Sequence, residues 1–216
     1  MAKRYIFFAV FALIFIILLT VLFSGLGLLP KKTYDNSDFN IEDYVSEKDA
    51  DGDGTDDQTD IINSVYDYIS TEPKYKSKYY GTGYPDDEYG VCTDVVAFGL
   101  KGAGYDIMQL LNQHVMDNRN LYNIPVVDKN IDFRRVLNLD TYFKANFESL
   151  TTDIYAIEEW QGGDIVVFER HIGIVSPKRN KKGVCYVIHH ANPYQLRYEE
   201  DILEGRDDII GHYRIN

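Results

Sequence analysis

Gly163-Asp164-Ile165-Val166-Val167-Phe168, followed after two residues by His171-Ile172-Gly173-Ile174-Val175-Ser176, is the stretch whose reading decides the fold. The first segment reads as a buried strand entered through a Gly-Gly turn, and the second as the next strand. A basic turn from Pro177 to Gly183 then leads into Val184-Cys185-Tyr186-Val187-Ile188-His189. Alternation puts Cys185, Val187 and His189 on one face and Tyr186, Ile188 and His190 on the other. If adjacent strands pair antiparallel, His171 near one strand start lies beside His189 near the next strand end. That is the placement a base and its orienting partner need.

Working outward, Val91-Cys92-Thr93-Asp94-Val95-Val96-Ala97-Phe98-Gly99-Leu100 reads as a helix opening at a cysteine. Val95, Val96, Leu100 and Ala103 share one face, and Gly104 is a stop just past the end. A thiol at a helix start with imidazoles far away in sequence is how a cysteine hydrolase supplies nucleophile, base and orienter. Only the thiolate attacks, and a helix N-terminus and a nearby imidazolium both favour it. The expected architecture is α+β, with helices packed on an antiparallel sheet and Cys92 facing that sheet. Two blander readings stand beside this one. Cys185 suits a small buried hydrophobe, and a Cys92–Cys185 disulfide is an alternative for an exported domain. His114 and His212 read as structural, although His212 is also placed to serve the site.

These residues carry a resemblance. The block 163–168 followed by His171-Ile172-Gly173-Ile174-Val175 is similar to the signature of NlpC-type cell-wall cysteine peptidases, which have a papain-like fold. Tyr89-Gly90-Val91-Cys92-Thr93-Asp94-Val95-Val96, Asn130-Ile131-Asp132-Phe133-Arg134-Arg135-Val136 and Gly211-His212-Tyr213-Arg214 resemble, more narrowly, a bacterial branch of that superfamily known mainly as a domain of unknown function. The resemblance covers about residues 60–216. It implies Cys92 as nucleophile, His171 as base and a third polar residue at His189, acting on amide bonds of peptidoglycan peptides without a catalytic cofactor. The narrower branch usually has Asn where this chain has His190, so the third position stays open between His189 and His190.

The address comes from the other end. Residues 5–29 are uncharged and almost wholly apolar behind a basic start, Lys3-Arg4. About 20 such residues span a membrane, and no small-residue cleavage site follows. The expectation is an uncleaved signal anchor over residues 1–30, a single pass through the cell membrane, with an extracellular C-terminal domain. The chain carries 22 Lys and Arg against 34 Asp and Glu, a net charge of −12. Such a surface repels phosphates, so no nucleic-acid partner is expected.

Between anchor and domain, residues 31–60 read as an acidic linker, with the hydrolase domain over 61–216. The linker carries Asp49-Ala50-Asp51-Gly52-Asp53-Gly54-Thr55-Asp56-Asp57-Gln58-Thr59-Asp60, which matches an EF-hand-like loop position by position. Asp49, Asp51, Asp53, Thr55, Asp57 and Asp60 fall at positions 1, 3, 5, 7, 9 and 12, with Asp at the last where Glu is usual. A structural Ca2+ is expected there, between an entering helix over 41–48 and an exiting one from Ile61; a mobile acidic linker is the alternative. Within the domain, Arg134 and Arg135 suit either a substrate carboxylate or a structural ion pair. The chain holds 18 tyrosines. Tyr75, Tyr79, Tyr80, Tyr84 and Tyr89 precede Cys92 and either line a substrate groove or pack a loop on the core. A short helix over 138–147, capped near Asp140, completes the reading.

Overall fold

Residues 2–25 and 31–215 are described in a computed structural model that divides into two units, Met1–Thr33 and Tyr34–Asn216. The first unit holds α1 (Ala2–Gly25), within which Arg4–Phe23 is long and apolar enough to cross a membrane. Its 24 residues rise about 36 Å at 1.5 Å each. An anchor and a signal sequence share these properties. The end of the apolar stretch, residues 26–30, lies outside the described residues.

The second unit runs in order through α2 (Asp57–Ser70), β1 (Lys74–Tyr75), β2 (Tyr89–Gly90), α3 (Cys92–Gly102), α4 (Ile107–Asp117), α5 (Lys129–Asp132), α6 (Val136–Asn146), β3 (Glu148–Ser149), β4 (Ile165–Phe168), β5 (His171–Arg179), β6 (Cys185–Ile188), β7 (Glu199–Glu200) and β8 (Ile209–Arg214). β1 and β2 form a small parallel pair. The other strands make one antiparallel sheet, ordered β3-β8-β4-β5-β6-β7. Phe168 lies opposite His171 and Ile165 opposite Ile174, so the expected hairpin forms in register.

Alternation splits the core in two. Ile165, Val167, Ile172, Ile174 and Ile188 face the helices and pack with Ile61, Val65, Val95, Val96 and Leu100. Val166, Phe168, Val175, Cys185 and Val187 face the other way, against Trp160 and Leu203. Leu100 has no exposed surface, so Leu100→Ala would cost about 2–5 kcal/mol in lost contacts and cavity. The helix α3 stops where expected. Gly104 takes φ +84°, and the Tyr105 and Gly104 amides close on the Leu100 and Lys101 carbonyls at 2.9 and 3.2 Å.

Several boundaries differ from the sequence reading. Helix α2 starts at Asp57, four residues before Ile61, because Asp56 caps it by accepting from the Gln58 and Thr59 amides. No helix forms over 41–48. Helix α6 spans Val136–Asn146, so Asp140 is internal; its carboxylate accepts the Tyr213 hydroxyl at 2.7 Å instead of capping. Both cysteines are free, lying against opposite faces of the sheet. Residues 34–60 belong to the compact unit, where a linker was expected. Fully buried Arg179 explains this, since a buried guanidinium needs an acceptor for its donors. It finds them at the Ile157, Trp160 and Gly183 carbonyls and at Asn36, while its backbone pairs with Tyr34.

Candidate active site

Cys92 is the first residue of α3, and its position is set by a buried ion pair one turn on. Asp94 accepts the Val91 amide at 2.8 Å. Arg134 clamps both Asp94 oxygens, Nε to Oδ1 at 2.7 Å and Nη2 to Oδ2 at 2.8 Å, and also donates to the Lys78 carbonyl. Burial pushes the Asp94 carboxyl up and Arg134 opposes it. With side-chain exposures of 2% and 0%, the pair is almost wholly buried. Of the two expected substrate arginines, Arg134 therefore serves the structure, as a buried guanidinium with a matched carboxylate does.

The Cys92 side chain is half-buried and lies among protein atoms where α3 packs on β5. Burial raises its thiol to about 11, while the Ile172 and Thr93 main-chain amides pull the other way. The helix start favours the thiolate as expected, but desolvation is larger, and the resting group is the neutral thiol. Ile172 directly follows His171, so the sulfur sits against the strand end that carries the histidine.

His171 Nε2 lies 2.9 Å from His189 Nδ1, and His189 Nε2 lies 3.2 Å from Glu200 Oε2 on β7. This chain assigns the tautomers. A carboxylate only accepts, so His189 carries its proton on Nε2 and accepts on Nδ1; His171 then donates from Nε2, leaving its Nδ1 as a bare base. Gln195 steadies the far end, donating to Glu200 at 3.2 Å and to the Arg197 carbonyl at 2.7 Å. Burial, helped by His189 and Arg206, lowers His171 to about 3, so it is a neutral imidazole. Among the described residues no hydrogen bond joins Cys92 to His171.

Of the two histidines left open for the third position, His189 is the one that lies against His171. His190 turns the other way, buried between the rings of Tyr75 and Tyr198, each 5.2 Å away, with its Nδ1 unpartnered. Burial lowers it to about 4. Tyr75 faces both His190 and Cys92. Tyr89, two residues from Val91, is half-buried beneath the Lys76 and Lys78 ammonium groups, each 4.9 Å from its ring. Arg135 is exposed and lines a cleft of about 710 Å³ with Glu169 and Arg170, the residues just ahead of His171. Cys92 and His171 do not line that cleft.

Other expected residues separate into two groups. Asp49, Asp51 and Asp53 come together, their carboxylates within 4.8 Å of one another. Asp57, expected as the ninth-position ligand, does not join them. It is buried, with Oδ1 taken by the Ala50 amide at 2.8 Å and Oδ2 by the Tyr105 hydroxyl. His212 stands with Asp164 and Arg214 at the far end of β4 and takes no part in the Cys92 cluster.

An antiparallel α+β domain with a cysteine at a helix start and a histidine–histidine–glutamate chain at the adjacent strand end is the class that fold and site define. The chain belongs to the family described as Domain of unknown function (DUF1287), whose model matches residues 62–215. It is 33% identical over 152 residues to Uncharacterized protein YijF of Escherichia coli (strain K12), covering 66% of this chain and 72% of that protein. No solved structure matches the chain. The family match spans Cys92, His171, His189 and Glu200, and starts just after the acidic loop.

Proposed function

We propose that the protein is a cysteine hydrolase of the NlpC type, with a papain-like fold, held by α1 in the cell membrane and cleaving an amide bond of cell-wall peptides outside the cell. The carrying observation is the site's composition: a thiol at the start of α3 against Ile172, next to an imidazole whose proton position is set by His189 and Glu200. In this reading the neutral thiol gives its proton to His171 Nδ1 as sulfur bonds to the substrate carbonyl carbon. The Cys92 amide at the helix start stabilises the oxyanion. His171 returns the proton to the leaving amine as the C–N bond breaks. Water, deprotonated by the same imidazole, then hydrolyses the thioester and restores the thiol. Arg135, on the 710 Å³ cleft, and Tyr89, just ahead of α3, serve as substrate contacts.

A second reading is a catalytically idle wall-binding module that keeps this fold. The observation in its favour is the missing Cys92–His171 hydrogen bond, although catalytic hydrogen bonds in apo structures often tighten only with substrate. The two readings separate when full-length protein in detergent micelles is incubated with purified peptidoglycan and released fragments are identified by mass spectrometry. The hydrolase reading expects fragments with new peptide ends from wild type and none above background from Cys92→Ala. Equal release by both proteins would reject it.

A further inference from the structure

We propose that residues 49–60 form a calcium site closed by Asp60, which fastens the loop to the start of α2. The acidic triad alone would not support this, because exposed carboxylates cluster without any ion. The deciding group is Asp60. It lies in the first turn of α2 with only 9% of its surface exposed, and its Oδ2 is buried without a hydrogen-bond partner. A buried carboxylate oxygen lacking a donor is costly. The like charges acting on Asp60 include those of Asp53, Asp51 and Asp49, whose carboxylates lie within 4.8 Å of one another. One divalent cation there satisfies the orphan oxygen and cancels the mutual repulsion.

The donor set fits a hard oxygen-seeking ion. Asp49, Asp51 and Asp53 offer carboxylates from the loop and Thr55 its carbonyl, while Asp60 closes the site from the helix. The sharp turn falls at Gly54, with φ +97°. Since the Asp57 carboxylate is already engaged, the ninth position is filled through water, a common arrangement in such loops. Shorter Asp in place of Glu at the twelfth position weakens closure, which places affinity near the ~10⁻⁴–10⁻³ M of extracellular modules. The consequence reaches into the fold. Asp57 holds Tyr105, and Gln58, two residues before Asp60, donates to Asp164 at 3.0 Å and to the Gly162 carbonyl at 2.7 Å. Filling the loop fixes this end of α2 on the sheet.

The test uses full-length protein in detergent micelles, stripped with chelator and then titrated with calcium chloride or magnesium chloride. Isothermal calorimetry and melting curves follow both ions on wild type, Asp60→Asn and Asp53→Asn. Wild type should bind one calcium and melt about 5–10 °C higher at a hundredfold excess over Kd. Both variants should bind at least about tenfold more weakly. In chelator, Asp60→Asn should melt no lower than wild type, because it removes an unpaired buried charge. A merely structural Asp60 would give the opposite result in chelator. An absent calcium heat with an unchanged wild-type melt, an equal shift with magnesium, or a full calcium shift in Asp60→Asn would each overturn the site.

Discussion

The β4–β5 hairpin has a histidine cluster at each end, and the two behave oppositely. At one end His171 pairs with His189 and, through it, with Glu200. At the other, about 13 Å along β4 at ~3.3 Å per residue, His212 meets Asp164 and Arg214. There Asp164 and both His212 ring nitrogens are engaged. Asp164 accepts from the Gln161 amide at 2.8 Å, from Gln58 at 3.0 Å, from His212 at 2.9 Å and from Arg214 Nε and Nη2 at 2.7 Å each. His212 Nδ1 faces the Thr151 carbonyl at 2.8 Å, and its ring stacks on Trp160 with centroids 3.8 Å apart. The His171 end keeps one ring nitrogen bare, a half-buried thiol near by and surface open to solvent. The same residue types make up both clusters; what differs is spare hydrogen-bonding capacity beside a thiol, which is what the proposed hydrolase requires.

The largest effects come from exchanging damage between the two ends. His171→Ala should lower fragment release by about 10²–10⁴-fold, the usual worth of a general base, while shifting the melting temperature by no more than about 2 °C. Asp164→Ala should do the reverse first: it leaves Arg214 buried and unpaired, which costs about 3–5 kcal/mol and lowers the melt by about 6–20 °C. Melting curves and release assays on both variants check the pair. A His171 variant that unfolds while keeping its specific activity would erase the distinction.

A smaller effect is expected at Glu200. Its amide analogue, Glu200→Gln, keeps the shape but loses the charge that holds the His189 tautomer. One hydrogen bond to a charged group is worth about 1.5 kcal/mol, roughly tenfold in rate. The loss should appear in kcat with the melt unchanged, and an unaltered kcat would cut Glu200 out of the chain. The smallest effect is in pH. His171 and His190 fold neutral, lowered to about 3 and 4, against about 6.5 when unfolded. Between those values the unfolded chain binds more protons, so their contribution is complete above about pH 6.5 and is lost as pH falls toward 4 and 3. The melt should drop by a few degrees from pH 7 to pH 5, and less in His190→Phe. A drop of equal size in that variant would clear His190 of the effect.

Much of this was legible in the chain. Alternation from Ile165 to Ile174 and again around Cys185 to Ile188 specified three neighbouring strands, because period-two burial leaves a plain trace. The helix starting at Cys92 and stopping at Gly104 was equally plain, and with the strands it placed His171 beside His189. Glu200 was not legible, since a two-residue strand has no periodicity and only its pairing with Val187 and Ile188 brings it in. The Asp94–Arg134 pair spans 40 residues, a contact that no local pattern reports. The acidic stretch misled in the other direction. Its composition reads as a linker, yet buried Arg179 and Asp164 draw Asn36 and Gln58 into the domain.

If His171 makes Cys92 a nucleophile, the thiol's rate with iodoacetamide depends on that histidine. Full-length wild type and His171→Ala are treated in detergent micelles at neutral pH, and modification of each cysteine is timed by peptide mass spectrometry. Cys185, buried with its sulfur 3.7 Å from the Trp160 carbonyl and its thiol pushed up to about 12, is the internal reference. Cys92 should react at least about tenfold faster than Cys185, and His171→Ala should remove most of the advantage. Equal slow rates at both cysteines, indifferent to His171, would contradict that dependence.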